Sequence, residues 1–327
     1  MRTRSVAGDL ALTEIGLGAA QFGNLNRETT DEASTAAVDR AWEAGIRYFD
    51  TAPHYGLGLS ERRLGAALAG RPRDEFVLST KVGRLLVPDP HGAGRTDDEG
   101  FVVPATTRRR WDFSRDGVLR SVEESLVRLG LDRIDVAYLH DPDDHWDAAS
   151  TTGVGALIEL RDQGVVRAVG AGMNQSAMLT ELVRRCDVDV VMLAGRLTVL
   201  DQTALADLVP VAAERGVGIV AAGVCNSGIL ASPTVPDDAH FDYAQAPAEL
   251  LARARAIAAV AGEFGVAVPE LAVQYALAFD VVASVVLGTR TAAHVDAAVE
   301  RYRATVPAEL WTALVAQGLL PRVPGEH

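Results

Sequence analysis

Lysine is almost missing from this chain. Of 31 basic residues, Lys81 is the one lysine and thirty are arginines. A GC-rich coding bias explains abundant arginine but does not explain why one lysine stays. A guanidinium is planar and permanently charged, whereas an ammonium is compact and its pKa is tunable. Lys81 is therefore a candidate for chemistry that arginine cannot do. Cysteine is nearly as scarce. Cys186 and Cys225 stand in unrelated segments without metal spacing, which excludes a disulfide framework and fits a cytoplasmic protein. No apolar run reaches the roughly 18 residues of a membrane span. Met1–Leu10 carries two arginines and no apolar stretch of the kind a signal peptide needs. Acidic residues number 44, leaving a net charge of −13, so neither nucleic acid nor an anionic membrane is an expected partner. There is no Walker loop, HExxH, CxxC or GxSxG, and no metal is expected. Asp141, Asp143 and Asp144 read as a solvated acidic loop, with a glycosidase acid/base pair as the alternative.

What is present is alternation. Eight short β-branched or apolar runs predict strands at Ile15–Gly18, Ile46–Asp50, Phe76–Lys81, Ile134–His140, Val165–Gly170, Val188–Leu193, Val217–Ala222 and Val282–Leu287. Helical patterns separate them, including Asp31–Ala44, Ser60–Ala69, Arg115–Leu129 and Gln202–Arg215. Asp31 is the expected cap of the first, and Ser60-Glu61 opens the second. Strands alternating with helices imply parallel pairing through right-handed crossovers. Eight such units predict one α/β domain over 1–327, a (β/α)8 TIM barrel. The runner-up is a doubly wound sheet, but its glycine fingerprint fails where Gln21 replaces the third glycine. Two long connections, 82–113 and 226–248, follow strands and so belong to the barrel face where active sites lie.

Consecutive strand ends deliver polar residues to that face. Asp50 ends the second strand, Lys81 the third and His140 the fourth, and Tyr55 follows Asp50 by five residues. Singly, each has a structural reading: a helix cap, a core histidine, a loop aromatic. Together they suit proton transfer at a carbonyl or alcohol oxygen. An ammonium beside Tyr55 favours the phenolate, Asp50 orients Lys81, and a neutral His140 directs the substrate oxygen. Hydride must then come from a cofactor, since the chain has no redox group.

The segments Gly45-Ile46-Arg47-Tyr48-Phe49-Asp50-Thr51-Ala52, Tyr55-Gly56, Ser60-Glu61, Ser79-Thr80-Lys81 and Tyr138-Leu139-His140 resemble the aldo-keto reductase family. The likeness covers nearly the whole chain. It implies a catalytic tetrad of Asp50, Tyr55, Lys81 and His140, with Tyr55 as acid/base. The segments His54-Tyr55-Gly56-Leu57-Gly58-Leu59-Ser60-Glu61, Lys81-Val82-Gly83-Arg84-Leu85-Leu86 and Gly170-Ala171-Gly172-Met173-Asn174-Gln175 are similar to a branch of sugar dehydrogenases. That branch includes L-fucose and D-threo-aldose 1-dehydrogenases and pyridoxal 4-dehydrogenase. It implies oxidation of an aldose hemiacetal to a lactone, or of pyridoxal.

The cofactor is expected to be NAD or NADP. The turn Gly223-Val224-Cys225-Asn226-Ser227-Gly228 after the seventh strand lets backbone N–H groups approach a pyrophosphate. After the eighth strand, Gly288, Thr289 and Arg290 lead into a helix, with Arg290 expected to reach phosphate. The resemblance places Asn174 at the nicotinamide carboxamide and Val224 where an aromatic commonly stacks on the ring. It also places Gly288 and His294 where NADP users carry Lys and Arg, so a preference for NAD is expected. His54, Trp111 and Trp146 are the expected substrate contacts. A non-catalytic nucleotide-binding subunit and a barrel hydrolase are the competing functions. The oligomeric state is left open.

Overall fold

The computed structural model describes residues 1–241 and 244–325. Residues 242–243 of the expected 226–248 connection and 326–327 of the expected domain lie outside the described residues. Eight parallel strands close into a barrel in chain order: β1 (Ile15–Gly18), β2 (Tyr48–Asp50), β3 (Val77–Val82), β4 (Val136–His140), β5 (Ala168–Met173), β6 (Val190–Ala194), β7 (Gly218–Ala222) and β8 (Val282–Gly288). The pairing of Gly16 with Val286 joins β1 to β8. Each expected strand is present; Ile15–Gly18 keeps both its ends, and the others shift by at most three residues at either end. They were legible because a parallel strand is buried on both faces and reads as a continuous apolar run.

Two apolar layers result. Tyr48, Tyr138, Met192, Val220 and Val286 point into the barrel, while residues such as Phe49, Leu78 and Leu139 pack outward against the helices. An antiparallel hairpin, Thr3–Ala7 with Leu10–Thr13, plugs the end where the strands begin. Leu10 and Leu12 are buried there among Tyr48, Val136, Ala168 and Val190. Plugging one end leaves the carboxyl ends of the strands as the open mouth.

Local chemistry shifts some helix starts. Thr30, not Asp31, caps the helix Asp31–Glu43, its side chain accepting from the Ala33 N–H. The helix expected from Gln202 begins at Leu208. Before it, the Asp201 carboxylate takes the Thr203 N–H and Asp207 takes the Leu208 N–H, which holds the chain in a separate 3₁₀ turn. The connection 82–113 is not simply irregular: Arg84–Pro88 pairs with Thr107–Trp111 as an antiparallel hairpin over the mouth. The connection 226–248 holds a 3₁₀ turn at Asn226–Gly228 and a short pairing of His240–Phe241 with Ala244–Gln245.

Candidate active site

The barrel brings Asp50, Tyr55, Lys81 and His140 together at its mouth. Lys81 lies near the end of β3, buried, and its Nζ donates to Asp50 Oδ1 at 3.0 Å, Asp50 Oδ2 at 2.7 Å and the Thr51 carbonyl at 3.0 Å. Ser79, one residue pair away on the same strand face, donates to Asp50 Oδ1 at 2.7 Å. The ammonium stands 4.8 Å from the centre of the Tyr55 ring. That ring meets the His140 ring edge-on at 5.7 Å.

The electrostatics follow from burial and this pairing. Burial opposes the charge on Lys81, but the Asp50 carboxylate and Tyr55 more than offset it, and its pKa is raised. Lys81 is thus a permanent cation. Tyr55 departs from the expectation. Burial raises its pKa and Asp50 adds to this; the pull of Lys81 is present but smaller, so Tyr55 stays a phenol above its ordinary value. His140 is driven well below the usual histidine range by burial, then by the Arg84 and Lys81 charges. It is a neutral imidazole, with Nδ1 buried and without a hydrogen-bond partner among the described residues.

The loop that carries Tyr55 is braced from beneath. Gly56 has φ +62°, and a Cβ there would fall 2.2 Å from the Gly23 carbonyl oxygen. Ser60 donates to the Ala19 carbonyl at 2.7 Å, and its hydroxyl meets that of Thr51 at 2.8 Å. Glu61, fully buried, accepts from Thr80 at 2.8 Å and from Arg128. Ser60-Glu61 is therefore a brace for the site. Gly58, in the left-handed region, precedes the helix instead.

Two cavities open side by side. A groove of about 640 Å³ runs over Asp50 and Tyr55 between the β7 and β8 turns. It is lined by the whole Gly223–Gly228 turn, Gly288 and His294, which bring Val224, Cys225, Asn226, Ser227 and Gly228 together as expected. Its neighbour, about 920 Å³, is lined by His54, Arg84, Trp111, Asp141 and Asn174, and shares Asn226 and Ser227 with the groove.

The residues of the groove fit a dinucleotide. Asn226 and Ser227 both hold left-handed backbones, φ 44° and 55°, and the turn is closed by the Asn226 N–H donating to the Gly223 carbonyl at 2.8 Å and the Gly228 N–H to the Cys225 carbonyl at 3.1 Å. Asn226 is pinned there by its amide donating to the Gly195 carbonyl at 3.0 Å. Gln21 Oε1 is buried without a partner among the described residues, and a Cβ on Gly288 would lie 2.5 Å from Gln21 Nε2. Thr289 is buried, its Oγ1 without a partner among the described residues. Thr291 caps the following helix, accepting from the His294 N–H.

Two expectations fail. Arg290 does not face the groove. It is buried, and its guanidinium donates to the carbonyls of Leu25 and Arg27 and to Thr29, tying down the 25–29 loop. Unmet carbonyls of that loop compete for it at close range, which sequence spacing does not reveal. Trp146 lies apart from the larger cavity, in a shallow depression formed by residues 143–148, its ring packed on the outer core. Sequence reasoning also missed Gln21, Arg84, Arg109 and Arg301. Arg301, on the helix Ala292–Arg303, lines the groove and donates across to the Ala231 carbonyl at 2.9 Å. Arg84 bonds Asp141 at 2.6 Å and stands 4.3 Å over the Trp111 ring. In a chain with thirty arginines, nothing in the sequence singles these out.

Comparison with known proteins agrees with this geometry. The aldo/keto reductase family matches residues 14–316. The chain is 47% identical to a D-threo-aldose 1-dehydrogenase from a Pseudomonas species, over 97% of each chain. It is 37% identical to a pyridoxal 4-dehydrogenase from Microbacterium luteolum, over 95% of each. The holo form of an aldo-keto reductase from Bacillus halodurans superposes with a TM-score of 0.78 at 27% identity, covering 98% of this chain and 96% of that one.

Proposed function

We propose that this chain, an oxidoreductase that belongs to the aldo/keto reductase family, oxidises the ring hemiacetal of an aldose to its lactone with NAD as hydride acceptor. One observation carries the reading. A buried ammonium, clamped by both oxygens of Asp50, lies under the Tyr55 ring at the floor of a groove shaped for a dinucleotide. Likeness to the D-threo-aldose enzyme supports the substrate class. The dinucleotide, when bound, supplies the carbon that accepts hydride. Asn226–Gly228 and Arg301 would hold its pyrophosphate, Asn174 its carboxamide, and Gly288 and His294 its adenosine end.

The chain's own residues handle the proton. Tyr55 Oη takes it from the anomeric hydroxyl as the C–H bond breaks, or returns it to the carbonyl in the reverse direction. Lys81 favours the charged form of Tyr55, and Asp50 holds Lys81 in place. Neutral His140 fixes the direction of the substrate oxygen without competing for its proton. The acidic wall of the larger cavity, Asp98, Glu99, Asp141, Asp143 and Asp144, suits an uncharged polyol. A panel of L-fucose, D-arabinose, L-galactose and pyridoxal, each with NAD and NADP, tests the reading. Turnover of an aldose is expected. Turnover of pyridoxal alone would move the assignment, and turnover without dinucleotide would overturn it.

The preference for NAD rests on missing cations. His294 is pushed below its ordinary pKa by burial and by Arg27 and Arg290, so it is neutral at pH 7. Arg290 is committed elsewhere. Gly288→Lys combined with His294→Arg is expected to raise the NADP/NAD ratio of kcat/KM by roughly tenfold or more, since a charge-assisted bond to phosphate is worth about 1.5–3 kcal/mol. The new lysine displaces only the flexible end of Gln21. An unchanged ratio would refute the cofactor argument.

A further inference from the structure

We propose that His54 donates a hydrogen bond from Nε2 to the substrate hydroxyl on the carbon next to the reacting one, locked by Arg84 and Arg109 in the tautomer that does so. The identity of the hydroxyl rests on the aldose reading above; the tautomer does not.

His54 Nδ1 faces two guanidinium groups. Arg109 Nε lies 2.7 Å from it and Arg84 Nη1 3.2 Å. A guanidinium can only donate, so Nδ1 must offer its lone pair to both. The ring proton is then forced onto Nε2. Glu99 Oε2 stands 3.6 Å from Nδ1, but a carboxylate cannot accept from a lone pair; its partners are the same two arginines, at 3.7 and 3.5 Å. A second proton is equally excluded. Burial, then Arg84 and Arg109, push the His54 pKa down to about 2.

Both arginines are held independently of His54. Arg109 is paired with buried Asp97 and also donates to the His54 carbonyl at 2.9 Å. Arg84 is paired with Asp141 and packed on Trp111. The donor is thus fixed before a ligand arrives, which spares the cost of orienting it on binding. His54 lines the larger cavity, and no partner to Nε2 is seen among the described residues. Its ring centre lies 5.8 Å from that of Tyr55 and 5.4 Å from that of His140. Oxygens on adjacent sugar carbons stand about 3 Å apart, one hydrogen-bond length. If Tyr55 and His140 hold the anomeric oxygen, the oxygen within reach of the next ring is the neighbouring one.

The test compares D-arabinose with 2-deoxy-D-ribose, its counterpart lacking that hydroxyl, on the full chain with saturating NAD. The wild type is expected to favour D-arabinose in kcat/KM by roughly tenfold or more. His54→Phe keeps the ring and loses the donor. It should bring the ratio near unity, chiefly through the KM of D-arabinose, with the Kd for NAD unchanged. His54→Gln, whose amide can accept from the arginines and still donate, should restore part of the ratio. A ratio retained in His54→Phe overturns the hydroxyl assignment. Histidine ¹⁵N spectra of the NAD complex read the tautomer with no sugar present. A bare Nδ1 and protonated Nε2, constant over about pH 6 to 9, are expected. An Nδ1–H tautomer or a titration in that range overturns the lock. If the wild type oxidises no aldose, the aldose reading and the hydroxyl assignment fall together, and the spectra still decide the tautomer.

Discussion

Tyr55→Phe is expected to lower kcat roughly 10²–10⁴-fold, the usual contribution of a positioned acid/base, while the Kd for dinucleotide changes less than about twofold. The variant removes one hydroxyl and little else. The ring keeps its neighbours Phe101, His54 and His140. Lys81 keeps both Asp50 oxygens and the Thr51 carbonyl. The backbone around it is fixed by the close approach of Gly23 and Gly56. Single-turnover measurement of hydride transfer separates the chemical step from binding. A parallel loss of dinucleotide affinity would make Tyr55 a structural residue.

The pH dependence has a definite sign. Burial holds the Tyr55 pKa above its ordinary value, so near neutral pH the phenol is the dominant form. Oxidation needs the phenolate as base. Its kcat/KM should therefore rise with pH, about tenfold per unit, until Tyr55 titrates. Reduction needs the phenol and should be flat over the same range, falling only above it. Neither His54 nor His140 contributes a limb near 6.5, because both stay neutral there. A histidine-like limb in oxidation would contradict the assignment of the base.

How legible this was in the sequence depended on the range of the forces involved. The barrel strands were visible because double-sided burial writes itself as runs of valine, isoleucine and alanine. The Thr3–Thr13 hairpin was not. Leu10 and Leu12 alternate over only a few residues, and they are stable as a strand only against the barrel floor that Tyr48 and Val136 supply. Arg84–Pro88 and Thr107–Trp111 were hidden likewise, since nearly twenty residues separate them without a tight-turn signal. At the site, Asp50, Lys81 and His140 could be placed by strand position alone. Arg290 and Trp146 could not, because what they touch is chosen by loops whose course sequence spacing does not set. His54 could be placed at the mouth because it adjoins Tyr55, but the Arg109 guanidinium that faces its Nδ1 comes from 55 positions away.

Lys81→Arg is expected to cripple turnover by roughly 10²-fold or more although the charge is conserved. The lysine stem passes Gly172, where a Cβ would be in van der Waals contact with Lys81 Cε at 3.7 Å. Its ammonium is a point donor that serves Asp50 and Thr51 while facing the Tyr55 ring. A guanidinium is broader and planar. Paired two-pronged with Asp50, it would turn its charge along the carboxylate and away from Tyr55 Oη. Fitting it into this packed space should also lower stability by about 1–3 kcal/mol, read as a shift in denaturant midpoint. Lys81→Met separates charge from shape. It leaves the Asp50 carboxylate buried and unpaired, at a cost of about 3–5 kcal/mol, and adding Asp50→Asn should recover much of that loss without recovering activity. Removing the cation also removes both of the main influences that lower the Tyr55 pKa, the charge of Lys81 and its hydrogen bond. The alkaline limb of oxidation must then move to higher pH. Near-normal rates in Lys81→Arg, or an unmoved limb in Lys81→Met, would mean that Lys81 tunes nothing. The single lysine among thirty arginines would then be a stabilising partner for Asp50 and no more.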